Sequence, residues 1–130
     1  MTMTGRLADV SLPEPEALSA AACLFHGLSD PSRLTILQHL LTGEHRVVDL
    51  VGHLGLAQST VSKHLACLRD CGLVASRPQG RATLWSLSYE SEVLALLSVA
   101  ERLLSLTGDA VTLCPDHGTH RTGTRAEARP

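Results

Sequence analysis

Between Arg46 and Gly72 the chain carries two runs of helical apolar spacing separated by a three-residue turn, and this pairing limits the fold more than any other feature. In "RVVDLVGHLGL", Val47, Val48, Leu50, Val51 and Leu54 recur at helical steps, and Gly55 stops the run after about two and a half turns. After Gly55-Leu56-Ala57, "QSTVSKHLACLRDCGL" opens on capping residues, repeats Val61, Leu65 and Leu68 at four- and three-residue steps, and stops at Gly72. The face of this second helix opposite its leucines is polar at the N-terminal end, where Gln58, Ser59, Thr60, Ser62, Lys63 and His64 stand. Short hydrogen-bonding side chains in that position suit base edges and phosphates in a major groove.

The flanking segments complete a small domain. Residues 1–13 mix small and polar residues and read as a mobile N-terminal tail. Glu14 and Glu16 open an Ala-rich helix that ends near Gly27, with acids at the positive end of its dipole. In "SDPSRLTILQHLLTG", Asp30 is placed to cap a helix, Pro31 occupies its first position, and Gly43 follows its last turn. Past Leu73 the period changes to alternation, so "LVASRP" and "RATLWSLS" predict a hairpin turning at Gln79-Gly80. The run "SEVLALLSVAERLLSL" is apolar nearly all round, which predicts a helix buried on two sides, one of them by a second chain. Residues 109–130 lose periodicity and read as a C-terminal tail, which leaves residues 14–108 as the domain.

Composition agrees with a mainly α fold carrying a small β-hairpin wing. Of the 130 residues 44% are apolar, yet there is one Phe, one Trp and one Tyr, so the core must be aliphatic. The net charge of −2 argues against a nucleic-acid partner, because phosphate neutralisation by Lys and Arg supplies non-specific affinity. Local charge offsets this: Lys63, Arg69, Arg77 and Arg81 fall close together, and dimerisation doubles such a patch. With no long apolar run and no basic leader, a cytoplasmic protein is expected, without membrane contact. Four cysteines in that compartment suggest metal binding or redox sensing rather than structural disulfides. No nucleophile with its base, carboxylate pair or phosphate loop is visible, so an enzyme is not expected.

A short helix, a Gly turn, a polar-fronted helix and a basic hairpin together describe a winged helix-turn-helix. The segment "GLSDPSRLTILQHLLTGEHRVVDLVGHLGLAQSTVSKHLACLRDCGLVASRPQGRATLWSLS" resembles the ArsR/SmtB family of metal-responsive repressors, and the likeness extends over residues 17–107. The resemblance implies a homodimer built on the first and last helices, bound to inverted-repeat operator DNA and released by an inducer. It assigns DNA contacts to Gln58, Ser59, Thr60, Ser62, Lys63 and His64, and to Arg77 and Arg81 on the wing. Read singly, each also fits an ordinary solvated side chain, though less well than a DNA contact.

Family members bind inducer at different places. The cysteines some carry on the helix before the turn are replaced here by Arg46, Val47, Val48 and Asp49, and the last helix holds no His. What remains is Cys67 and Cys71, four apart on one helix face with Cβ atoms about 6 Å apart, within reach of one ion at Zn–S distances of about 2.3 Å. Two buried thiols acting as small apolar groups would look the same. The stretch "HLACLRDCGLV" further resembles the CmtR-type cadmium and lead sensors of the family, which complete a three-sulfur site from the other protomer's tail. The resemblance places Cys114 there, so the expected metal ligands are Cys67, Cys71 and Cys114. Soft sulfur favours Cd(II) or Pb(II), with As(III) and Zn(II) as further candidates. Cys23 reads as a core or interface thiol, and His117 and His120 as solvated tail residues able to bind zinc or nickel. His26, His39, His45 and His53 show no ligand spacing together. The alternative is a thiol redox switch of the same fold.

Overall fold

The computed structural model describes residues 11–12 and 14–115; the rest of the expected N-terminal tail, and His117 and His120, lie outside the described residues. Helix α1 spans Pro15–Gly27 and α2 spans Pro31–Leu40. Strand β1 is the pair His45–Arg46, followed by α3, Val47–Leu54, and α4, Gln58–Asp70. Strands β2, Val74–Gln79, and β3, Ala82–Leu87, precede α5, Glu90–Leu106.

The helix signals work as their chemistry requires. Asp30 caps α2, its Oδ2 accepting from the N–H groups of Ser32 at 2.8 Å and Arg33 at 3.1 Å, and Pro31 follows at the first position. Asp49 closes the first turn of α3 by accepting from the backbone N–H of Arg46. Gly55 ends α3 at φ 70°, a left-handed conformation that costs a side chain but not glycine. These stops confine α3 to eight residues and bring α4 in immediately behind it.

The sheet is three-stranded, in the order β1-β3-β2 and antiparallel throughout. Two details differ from the sequence reading. Gln79 pairs with Ala82, so the two-residue turn is Gly80-Arg81 rather than Gln79-Gly80, and Arg81 stands at the wing tip. The strand His45–Arg46 pairs with Trp85 and Leu84, an addition that a two-residue segment gives no period to betray.

One aliphatic core joins all layers. Ile36 and Leu37 of α2, Leu50 of α3 and Val61, Leu65 and Leu68 of α4 are fully enclosed, and Val74, Trp85, Val93 and Leu97 close the core from the sheet and α5. Emptying one such position to Ala costs about 2–5 kcal/mol, so the buried stripe of α4 fixes its angle to α2. The outward side of α5 behaves differently. Val99, Leu103 and Leu106 are exposed there, as are Leu18 and Phe25 on α1.

Candidate DNA interface and metal site

The burial of Val61, Leu65 and Leu68 against α2 and α3 forces the opposite side of α4 outward. Gln58, Ser59, Ser62 and Lys63 are exposed there, and Thr60 is half-buried. No side chain caps the helix start at Ala57, so the first-turn N–H groups also face out, where phosphate oxygens can meet them. A shallow cleft runs from this end to the wing, lined by Arg46, Val47, Val48, Gln58, Arg81 and Thr83.

His64 is placed differently from its neighbours. Its Nδ1 accepts from Nη1 of Arg33 at 3.3 Å, since a guanidinium only donates, and its Nε2 lies 3.8 Å from Oδ2 of Asp30. Its side chain keeps 17% exposure. Arg33, itself buried, also donates to the carbonyls of Gly27 at 2.9 Å and His26 at 2.8 Å, satisfying the last turn of α1. One guanidinium thus joins the end of α1, the start of α2 and the middle of α4. Although partial desolvation opposes it, the N–H groups of Arg33 and Ser32 and the charge of the Arg33 guanidinium hold the Asp30 carboxyl below its ordinary range.

On the wing, Arg77 makes a two-pronged contact with Glu44, both N–O distances being 2.9 Å. The bond from Arg77 lowers the Glu44 carboxyl below its usual range. Both groups are exposed, and a phosphate can compete for the guanidinium. Arg81 is exposed at the turn.

The thiols gather at the other end of α4. Cys71 is the C-cap residue, one step beyond the helix that the sequence suggested would contain it, and its N–H still bonds the carbonyl of Cys67 at 3.2 Å. Its Sγ donates to the carbonyl of Cys23 at 2.9 Å and lies 2.8 Å from the Cys23 Sγ. Gly27 permits this closeness, because a Cβ there would meet the Cys71 Sγ at 3.3 Å. Burial, then the bond and charge of Cys23 and the nearness of Cys67, push the Cys71 thiol up to about 12. Cys23 is therefore part of the thiol group, a contact between residues 48 apart that no sequence spacing signals.

Cys114 lies elsewhere within the protomer. Its Sγ is 3.3 Å from Ser98 Oγ on α5, and its N–H, like that of Leu113, donates to Glu101. Gln38 of α2 holds the carbonyls of Leu113 at 2.8 Å and Thr112 at 3.3 Å. Among the described residues, Cys114 does not cluster with Cys67 and Cys71 in one protomer. The sequence also missed His39, His45 and His53 as a group: it showed no ligand spacing, yet the fold brings their ring nitrogens together from three elements.

The arsR family of bacterial regulatory proteins matches residues 30–76, the span from the α2 cap into the wing. The chain is 35% identical over 124 residues to a probable mercury resistance operon repressor of Streptomyces lividans, covering 92% of this chain and 96% of that one. It belongs to the ArsR family. This ArsR protein is also 41% identical over 91 residues to the HTH-type transcriptional regulator CmtR of Mycobacterium tuberculosis, across 70% of this chain and 77% of that one. In structure it resembles a homodimeric winged helix-turn-helix DNA-binding domain from Mycobacterium bovis, at TM-score 0.64 and 28% identity over 75% of this chain and 94% of that one. Like its family, the ArsR protein is a DNA-binding transcriptional regulator of winged helix-turn-helix fold and not an enzyme. No helix among the described residues is long and apolar enough to cross a membrane.

Proposed function

We propose that the chain is a homodimeric repressor that leaves an inverted-repeat operator when a thiophilic metal ion binds its cysteines. The observation that carries this is the crowding of Cys23, Cys67 and Cys71 where the recognition helix ends. A soft cation bound among these sulfurs would displace their protons, because the ion supplies the positive charge that neighbouring thiolates need. The donor set therefore fits Cd(II) or Pb(II), with As(III) or Zn(II) as alternatives, and the mercury-repressor relative points to the same soft class. Cys67 and Cys71 would hold the ion, and Cys114 of the second protomer would complete a three-sulfur site on leaving its contact with Ser98.

Gln58, Ser59, Thr60, Ser62 and Lys63 would read or anchor the major groove, with Arg77 and Arg81 at the flanking backbone or minor groove. His64, pinned between Asp30 and Arg33, serves this reading by holding α4 at its angle. Metal and DNA thus act on opposite ends of one rigid helix, which couples them. Such coupling commonly amounts to about 5- to 150-fold in affinity.

The test is operator affinity with and without Cd(II), under reducing conditions, for the parent and for Cys67→Ser, Cys71→Ser and Cys114→Ser. Release should vanish in the first two and weaken in the third. Undiminished release in Cys67→Ser and Cys71→Ser would overturn the thiolate site, and undiminished release in Cys114→Ser would remove the cross-protomer ligand alone.

The Cys23–Cys71 contact also supports a second reading, a peroxide-oxidised disulfide joining α1 to α4. That bond would have leverage between two elements, which the Cys67 and Cys71 pair on one helix lacks. Against it, a Cys71 thiol pushed up to about 12 offers little thiolate, the nucleophile such oxidation needs.

A further inference from the structure

A cluster of imidazoles shares no residue with the thiol group. His39 lies in the last turn of α2, His45 in β1 and His53 in the last turn of α3. One ring nitrogen from each lies within 4.8 Å of the other two. The rings of His39 and His53 stack with centroids 4.3 Å apart and planes 11° apart, and His45 meets both edge-on at 5.9 and 5.8 Å.

Three further observations give the cluster the character of a ligand set. Nδ1 of His45 is 2.8 Å from the Gly43 carbonyl, and since a carbonyl only accepts, Nδ1 carries the proton and Nε2 the free lone pair. Fixing one imidazole nitrogen with a backbone carbonyl is how metal-binding histidines are oriented. His39 is half-buried, with the exposed His53 ring against its face and the His45 ring edge-on to it. The neighbouring cations are engaged elsewhere: Arg46 with Asp49 at 3.2 Å, and Arg77 with Glu44 at 2.9 Å.

We propose that His39, His45 and His53 form a three-imidazole site for one borderline divalent cation, Zn(II) or Co(II), with water in the remaining position. Imidazole nitrogen suits these ions, and Zn–N distances of about 2.0–2.1 Å put tetrahedral ligand atoms about 3.3 Å apart. Reaching that spacing takes rotation of a ring as well as closer approach, because the stacked His39 and His53 planes are nearly parallel and each lone pair lies in its ring plane; His53 is exposed and has room to turn. The ion would join the end of α2, the first helix of the helix-turn-helix and, through the pairing of His45 with Trp85, the wing sheet. It is chemically distinct from the thiol group, so one chain would carry a soft site and a borderline site.

The test is Co(II) titration of the full-length reduced chain followed by absorption. Thiolate binding gives sulfur-to-cobalt charge transfer in the near ultraviolet, whereas the imidazole site adds visible ligand-field bands without it. Each of His39→Gln, His45→Gln and His53→Gln should lose the second contribution and keep the first, and His117→Gln with His120→Gln should keep both. Zn(II) should also shield His39, His45 and His53 of the unmodified chain from diethyl pyrocarbonate, a readout that needs no variant to fold. A parent with no such second contribution, one that persists in all three variants, one that disappears with His117 and His120, or unchanged diethyl pyrocarbonate reactivity with Zn(II) would each overturn the site.

Discussion

At the scale of single residues the structure turns on Arg33. A nearly enclosed guanidinium would be costly to bury alone, but here its donors meet two helix-end carbonyls and the His64 ring. Arg33→Met fills similar space and removes every one of these bonds, so it should destabilise the fold by about 1–3 kcal/mol in urea denaturation. It should also weaken operator binding beyond that loss, because His64 loses its anchor. Stability equal to the parent would show that the carbonyls find water instead. Asp30 adds a pH dependence whose sign is fixed by its lowered carboxyl: its contribution is full above the ordinary value of 3.8 and disappears as pH falls through the lower folded value. Asp30→Asn keeps a good cap and drops that titration, so its melting temperature should fall less than the parent's on acidification. None of this network shows in the sequence beyond the Asp30 cap, since a cap is a local signal whereas Arg33, His64, Cys23 and Cys71 meet only when α1 and α4 fold against α2.

At the scale of elements, the helix boundaries were legible because stops and caps are short-range chemistry. Asp30, Pro31 and Gly55 each act within one turn of where they stand. The sheet was less legible: β1 is two residues long and owes its strand geometry to β3, and the turn register moved by one because Gln79 pairs with Ala82. Helix α3 offers a check on this local logic through two glycines three residues apart. A Cβ at either meets nothing within 4 Å, so only backbone conformation separates them. Gly55→Ala forces an alanine to φ 70° and should cost about 1 kcal/mol. Gly52→Ala, inside the helix, should stabilise by up to about 1 kcal/mol. Thermal melts of the two variants should shift in opposite directions. A shift of the same sign would mean that α3 does not end at Gly55 in solution.

At the scale of the molecule, the proposed dimer would let a chain of net charge −2 act on DNA, and the exposed leucines and valine of α5 are the surface on which it would form. A monomer presents one recognition helix and one wing, whereas a two-fold dimer presents two of each to half-sites about one helical turn apart. Helix α5 is apolar nearly all round because its two sides do different work: Val93 and Leu97 enter the protomer's own core, and Val99, Leu103 and Leu106 stay outside it. In the proposed dimer a second copy covers that outer stripe together with Leu18 and Phe25 of α1. Charging the stripe separates the two roles, because Val99→Glu with Leu103→Glu leaves Val93 and Leu97 untouched. Sedimentation should show this variant as a monomer with helical circular dichroism close to the parent's. Its operator affinity should collapse toward that of a single half-site, while Co(II) should still reach His39, His45 and His53, which belong to one protomer. A truncation before Glu90 should instead fail to fold, since it removes core residues as well as the interface. If the doubly charged variant sedimented as a dimer, the two-fold axis would have to pass through some other surface, and the cross-protomer path from Cys114 to Cys67 and Cys71 would go with it.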